Sequence, residues 1–249
     1  MGEIVVFAGP TISEDAPEIA DCDLLFVPPA AQGDIYAVTR HKPWGIVLID
    51  GHFDWVPAPW HREILWAISL GIHVFGAASI GALRAADLDG HGMIGVGAIY
   101  DGFATGRLTD DDEVAVLHGP RELDYPPLSE AMVNIRASLE AAAEAGVLPL
   151  AAAEALTAQA KALPYRARTA EAVFAAADEM LPDPEPLRSW WATSAIDQKR
   201  SDAVLALREA HHRRARAEPP PPPALVFQPT DTWATLVADV EDGPRDIHL

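Results

Sequence analysis

A serine sits in Gly76-Ala77-Ala78-Ser79-Ile80-Gly81, between a short apolar run and a helical pattern. Hydrolases use such a strand-to-helix turn among small residues to hold a nucleophilic oxygen above a sheet, where amides at the helix start stabilise an oxyanion. The residue two before Ser79 is Ala77 rather than the glycine of that motif. Serine is also a favoured helix N-cap, and taken alone capping is the plainer account of Ser79. A serine nucleophile needs a base. His52 lies in Asp50-Gly51-His52-Phe53-Asp54 and His61 in Pro59-Trp60-His61-Arg62-Glu63, with Asp50 or Glu63 to orient either one. Arg84 follows Ser79 by about 500 degrees of helical turn, so the two share a broad side of one helix. Its guanidinium could clamp a carboxylate or thiocarboxylate, or pair with Glu63 or Asp87.

Other reactive side chains have plainer readings. Asp110-Asp111-Asp112-Glu113 suggests magnesium, yet acids ahead of Val114-Ala115-Val116-Leu117 fit an ordinary helix start with capping-box spacing. No metal site is expected. Gly9-Pro10-Thr11 lacks the further glycines and the lysine of a phosphate loop, so ATP binding is unsupported and no cofactor is expected. Cys22 is the only cysteine. It excludes an intrachain disulfide and a multi-cysteine zinc site, and its Asp21 and Asp23 neighbours should raise its pKa and blunt a persulfide role. His41, His91 and His118 lack a comparable placement, and His73 reads as core.

The elements that must position these groups show in the hydrophobic pattern. Ile4-Val5-Val6-Phe7, Leu24-Leu25-Phe26-Val27, Ile46-Val47-Leu48-Ile49 and Ile72-His73-Val74-Phe75 are short branched runs bounded by Gly, Pro or Asp, and read as buried strands. Helical patterns run over Asp34 to Arg40, Pro59 to Leu70 and Ile80 to Leu88. Continuous apolar strands alternating with helices predict an α/β fold over residues 1–125, an open, mostly parallel sheet with helices on both faces. Ligands of such sheets sit outside the carboxyl ends of the strands. The segments there are Gly9-Pro10-Thr11-Ile12-Ser13, Pro28-Pro29-Ala30-Ala31-Gln32-Gly33-Asp34, Asp50-Gly51-His52-Phe53-Asp54 and Gly76 to Gly81. Together they bring carboxylates, a histidine, hydroxyls and glycines to one crevice.

Strand signals stop after residue 125. Met132, Ile135, Leu139 and Ala142 keep helical spacing, and Leu150 to Leu163, Thr169 to Met180 and Ser201 to Arg216 read as helices of a helical subdomain over 126–217. The basic run His211 to Arg216 fits the last turns of a helix. Pro219 to Pro223 must be extended and reads as a stiff spacer in a C-terminal tail, 218–249, where Phe227, Trp233, Leu236 and Val237 can dock a short segment. Trp190 and Trp191 read as subdomain contacts, whereas Trp55 and Trp60 are open to a docking role. Formal net charge is −19, with 37 acidic against 18 basic residues. That field repels phosphate backbones and anionic lipid, so nucleic acid and membrane are poor partners. No apolar run reaches spanning length and no charged leader precedes the first strand, which implies a soluble, cytoplasmic protein.

Several of these stretches, taken in order, resemble the TfuA-like family. They are Gly9-Pro10-Thr11, Pro29 to Asp34, Ile49 to Phe53, Trp60 to Leu65, Gly76 to Ala85, Gly92 to Gly97 and Asp111 to Ala115. They span about residues 5 to 118. The resemblance implies a partner of a YcaO-type enzyme in peptide-backbone thioamidation. It would supply sulfide by hydrolysing a ubiquitin-like thiocarboxylated sulfur carrier, the peptide substrate being reached through YcaO. In that reading Ser79, His61, Asp50 and Glu63 are catalytic. Arg84, Gly9, Thr11, Gln32, Asp34, Gly51 and Gly81 bind substrate. Asp87 stands where the family often has Glu, and His52 falls at a variable position, which favours His61 as base. The competing reading is a non-catalytic adaptor that activates YcaO by binding it.

Overall fold

The computed structural model describes residues 2–52, 56–123, 125–224 and 226–243, so Phe53, Asp54 and Trp55 of the expected crevice and docking surface lie outside it. Two compact units form. One comprises residues up to 109 together with those from 200 onward, and the other is 110–199.

In the first unit, β1 (Ile4–Phe7), β2 (Leu25–Val27), β3 (Gly45–Leu48), β4 (His73–Ala77) and β5 (Ile94–Val96) make one parallel sheet in the order β2-β1-β3-β4-β5. The α/β expectation is met. β5 goes beyond the expected strands: it is three half-buried residues at the sheet edge, one of them a glycine, with too little apolar pattern to read. The connections carry α1 (Asp34–Thr39), α2 (His61–Ser69) and α3 (Ile80–Asp87), and α4 (Ala98–Ala104) follows β5.

Strand alternation assigns the two faces. Val5, Phe7, Ile46, Leu48 and Val74 point to one side and pack with Ile35, Ile64, Ile68 and Ile80 of α1 to α3. α3 lies against backbone there: a Cβ on Gly81 would come 1.8 Å from the Leu48 carbonyl oxygen, and one on Gly76 would come 2.2 Å from that of Gly81. Only glycine permits that approach.

The second unit holds α5 (Met132–Glu144), α6 (Leu150–Ala162), α7 (Ala170–Met180) and α8 (Glu185–Ser194) around Met132, Ile135, Leu139, Leu156, Val173 and Leu187. Trp190 and Trp191 pack against that core.

The remaining helices return to the first unit. α9 (Gln198–Ala215), read from sequence with the helices before it, lays Ala203, Ala206, Leu207 and Ala210 on the sheet's other face, against Ile4, Val6, Val47, Ile49 and Phe75. Small residues suit that contact because the helix approaches closely. The proline run then passes Gly71 and Gly92. α10 (Asp231–Asp242) follows, with Trp233, Leu236 and Val240 packed on Tyr36 and Ala37 beside Trp60, Trp66 and Phe227. Among the described residues no helix is long and apolar enough to cross a membrane.

Candidate active site

The order β2-β1-β3 reverses the direction of chain progression at β1, so the crevice between the ends of β1 and β3 is the ligand position expected of a doubly wound sheet. Asp50 stands there, buried. Its Oδ2 accepts the Gly9 N–H at 2.9 Å and the Thr11 N–H at 3.1 Å, and Oδ1 accepts the Thr11 hydroxyl at 2.6 Å. The carboxylate thereby fixes the loop after β1 to the end of β3. Next to it the Ala30 N–H donates to the Asp50 carbonyl and the His52 N–H to the Ala30 carbonyl, which ties in the loop after β2. Gly51 is needed for that approach: its Cβ would sit 2.8 Å from the Ala30 oxygen and 2.9 Å from Ile80 Cγ2. Gln32 donates its N–H to the Pro57 carbonyl, and Asp34 accepts the Ala31 N–H at 2.7 Å.

Ser79 occupies the next strand end, 3% exposed. It holds the N-cap position of α3, yet its hydroxyl makes no capping bond, so the capping account fails for its side chain. The turn before it is unusual. Ala78 has φ +65°, and the Ser79 N–H donates back to the Ala77 carbonyl at 2.7 Å. An i to i+2 bond around a positive-φ residue is the rare, strained form of γ-turn, and such strain gathers at functional sites. The Gly81 N–H is spent on the Ile49 carbonyl at 3.3 Å. The Ile80 N–H has no backbone acceptor among the described residues.

His61 and Arg84 meet elsewhere. His61 Nε2 lies 2.9 Å from Asp87 Oδ2, which makes Nε2 the protonated nitrogen and leaves Nδ1 as the basic one. Arg84 reaches the same Asp87 oxygen at 3.4 Å and donates from Nε to the Pro59 carbonyl at 3.0 Å. Pro59 in turn packs where a Cβ on Gly51 would be, 3.3 Å from its Cδ. The His61 and Asp87 side chains are 37% and 49% exposed. Glu63 is not the group that orients His61. Fully buried, it accepts N–H bonds from Gly33 at 2.8 Å, Tyr36 at 3.2 Å and Trp60 at 3.0 Å, joining the starts of α1 and α2. Burial pushes its carboxyl above the usual carboxylate range, against the pull of those three amides. The sequence residues therefore fall into two groups. Gly9, Thr11, Asp50, Gly51, Ser79 and Gly81 line the strand ends. His61, Asp87 and Arg84 form a cluster linked to them through Pro59, and no hydrogen bond joins Ser79 to His61 among the described residues.

Residues 50–169 match the family model described as TfuA-like protein. Over that stretch, just under half of its length, the chain is TfuA-like. No curated protein matches it. The matched span opens at Asp50 and holds His61, Ser79, Gly81 and Arg84, and it runs on beyond α6, well past the last of the sequence motifs at 111–115.

Sequence reasoning missed one buried acid. Asp202, on the first turns of α9, accepts the Ile99 N–H at 2.8 Å, and a Cβ on Gly97, just past β5, would lie 2.3 Å from its Cγ. It brings a carboxylate to the same sheet edge from far along the chain, and nothing adjacent in sequence announces it. The acids at 110–113 behave otherwise than expected. Asp111–Glu113 is a short 3-10 turn, and Asp110 makes no capping bond. Carboxylate oxygens of Asp110, Asp112 and Glu113 lie within 4.8 Å of one another, the spacing of a cation site. The Lys161 ammonium stands among them, 3.0 Å from Asp110, 3.0 Å from Glu113 and in contact with Asp112. Arg136 adds two 2.9 Å bonds to Glu113, and the fully buried Arg168 holds Asp112 at 2.5 Å. Burial raises Asp112 and Glu113, but these cations outweigh it and hold both below the usual range. This donor set is neutralised by protein cations and does not fit a divalent ion. Burial, followed by the Asp21 carboxylate, raises the Cys22 thiol, which disfavours a thiolate sulfur carrier.

Proposed function

We propose that this TfuA-like protein serves a YcaO-type enzyme in peptide-backbone thioamidation by releasing sulfide from a thiocarboxylated, ubiquitin-like carrier. The observation that carries this reading is the Ser79 hydroxyl. It sits at a strained strand-to-helix turn, makes no capping bond, and follows β4, the strand paired with the β3 that leads to Asp50. In the reaction the Ser79 oxygen bonds to the carrier's thiocarboxylate carbon and the C–S bond breaks, leaving hydrosulfide and an acyl-serine. Water then attacks that ester to give the carrier carboxylate and free Ser79. The Ile80 N–H, belonging to the residue after the nucleophile, is the amide available to an oxyanion. Asp50 holds the Gly9–Thr11 loop in place, and with Gln32, Asp34 and Gly51 shapes the crevice. His61, kept in one tautomer by Asp87, is the base. It must approach Ser79 on carrier binding, and Arg84 beside it receives the anionic end of the substrate. Catalytic hydrogen bonds often close only in the substrate complex.

The exposed His61–Asp87–Arg84 cluster favours a second reading, in which this face docks on YcaO and the chain activates it without hydrolysis. One experiment separates the two. Sulfide release from a thiocarboxylated carrier and YcaO turnover supplied with free sulfide are measured for wild type, Ser79→Ala and Asp87→Asn. Hydrolysis by Ser79 predicts at least a hundredfold loss of sulfide release in Ser79→Ala, on the order of what a nucleophile contributes, with stimulation intact when sulfide is added. Undiminished release from Ser79→Ala overturns the nucleophile. Loss of stimulation in Asp87→Asn despite free sulfide supports the adaptor.

A further inference from the structure

Arg62 has no carboxylate within ion-pair range among the described residues, in a chain where acids outnumber bases two to one. It is half-buried at the start of α2, with its guanidinium carbon 5.9 Å from the Trp60 ring centre and 5.4 Å from that of Phe227. One terminal nitrogen donates to the Gln228 carbonyl. Its Nε is buried with no acceptor. The Nε N–H is thus shut from water without an acceptor, and the outer nitrogens, still reachable from solvent, carry a charge that no carboxylate balances among the described residues.

Arg62 also borders a cavity of about 240 Å³ between α2 and the segment that leads to α10. The other walls are apolar: Leu65 and Ile68 of α2, with Pro223, Val226 and Phe227 of the covering segment. Among the described residues His91 and Gln228 also line it. His91 Nδ1 bonds the Asp89 carbonyl, so that nitrogen is the donor and Nε2 is left as an acceptor. Cavity and cation complement one kind of guest. At about 30 Å³ per water, the space holds roughly eight waters, which suits a guest of about eight to ten bonded heavy atoms. An apolar body fills the space between Leu65, Ile68 and Phe227 while one anionic end neutralises Arg62.

We propose that this cavity binds a small amphipathic carboxylate, an acyl chain or aromatic group of medium length ending in one carboxyl, with Arg62 as its counter-ion. Such a guest would bridge Pro223, Val226 and Phe227 to α2 and raise stability by mass action. The site lies apart from Ser79 and does not depend on the thioamidation reading.

Octanoate is the probe, with octan-1-ol as the uncharged control, and binding is read by calorimetry and by thermal shift of the full chain. Saturable octanoate binding is expected, at least tenfold tighter than octan-1-ol. Arg62→Gln should lose that preference for charge. Leu65→Phe, which fills the cavity while keeping the guanidinium, should weaken octanoate tenfold or more. Arg62→Gln tests the charge, and Leu65→Phe tests the space without touching it, so a folding defect in one variant leaves the other informative. No saturable heat with octanoate, or affinity in both variants equal to wild type, overturns the site.

Discussion

His73 opens β4 with its ring stacked 3.9 Å from that of Trp44 and Nδ1 3.2 Å from the Trp44 carbonyl, while Nε2 is buried without a partner. Burial holds this imidazole below its ordinary value, and the Arg213 cation adds to the effect. The unfolded chain therefore takes up a proton at about pH 6.5, before the folded chain does, and stability is lost as pH falls through that point. Between the two values the loss is about 1.4 kcal/mol per pH unit. His73→Phe keeps the stacking and removes the proton. Urea midpoints from pH 8 to pH 5 should fall less for the variant than for wild type, and parallel curves would refute the assignment. That His73 belongs to the core was legible from its place inside an apolar run. Other residues at this scale were not. Glu63 lies two residues from His61 and invited the role of its orienting acid, but its oxygens take amides from Gly33 and Tyr36, far back in sequence. The acid that does meet His61, Asp87, lies at the end of another helix. Partners separated by a crossover connection leave no spacing signal.

Among the elements, β1 to β4 and the helices between them followed from apolar runs bounded by Gly, Pro and Asp, most plainly for β1, β3 and β4, which are central parallel strands buried throughout. β5 and α4 escaped because each is short and half-buried. α9 was legible as a helix but not as a layer of the sheet: its Ala203, Ala206 and Ala210 signal close packing without saying against what. The contact of α3 with β3 offers a sharp test. Gly81→Ala would put a methyl group 1.8 Å from the Leu48 oxygen, which is main chain of a central strand and has no room to yield. The helix must lift, at a cost of about 3 kcal/mol. Gly106→Ala is the control. That glycine has φ +73° with nothing within 4 Å of where a Cβ would stand, so only backbone strain of about 1 kcal/mol applies. Chemical denaturation of both variants should give that ranking, and equal losses would mean α3 can shift freely. Because α3 carries Ser79 at its start, Gly81→Ala should also lower any sulfide release.

For the whole molecule, the hydrophobic clusters respect the division of the chain. Every residue of the core of 110–199 comes from within that stretch, as do the ion pairs of Lys161, Arg168 and Arg136. The sheet's two faces and the α10 contact draw only on residues before 110 or after 199. The sequence boundary near 125 came from the loss of strand signals, which locates where strands end but not which helices share a core. The unit of 110–199 should therefore fold when made alone. Its buried Leu139, Leu156, Val173 and Leu187 supply a core, and Asp112 and Glu113 stay bound to Lys161, Arg168 and Arg136. Circular dichroism should show a helical fragment with one cooperative thermal transition. Within it, Asp112→Asn leaves the buried Arg168 without its carboxylate, which costs about 3 kcal/mol or more and lowers the midpoint sharply. A fragment that melts gradually, or one indifferent to Asp112→Asn, would show that this unit borrows its stability from the rest of the chain. By the same reasoning a chain ended at 197 should aggregate, since without α9 the faces of Ile4, Val6, Val47 and Ile49 meet water.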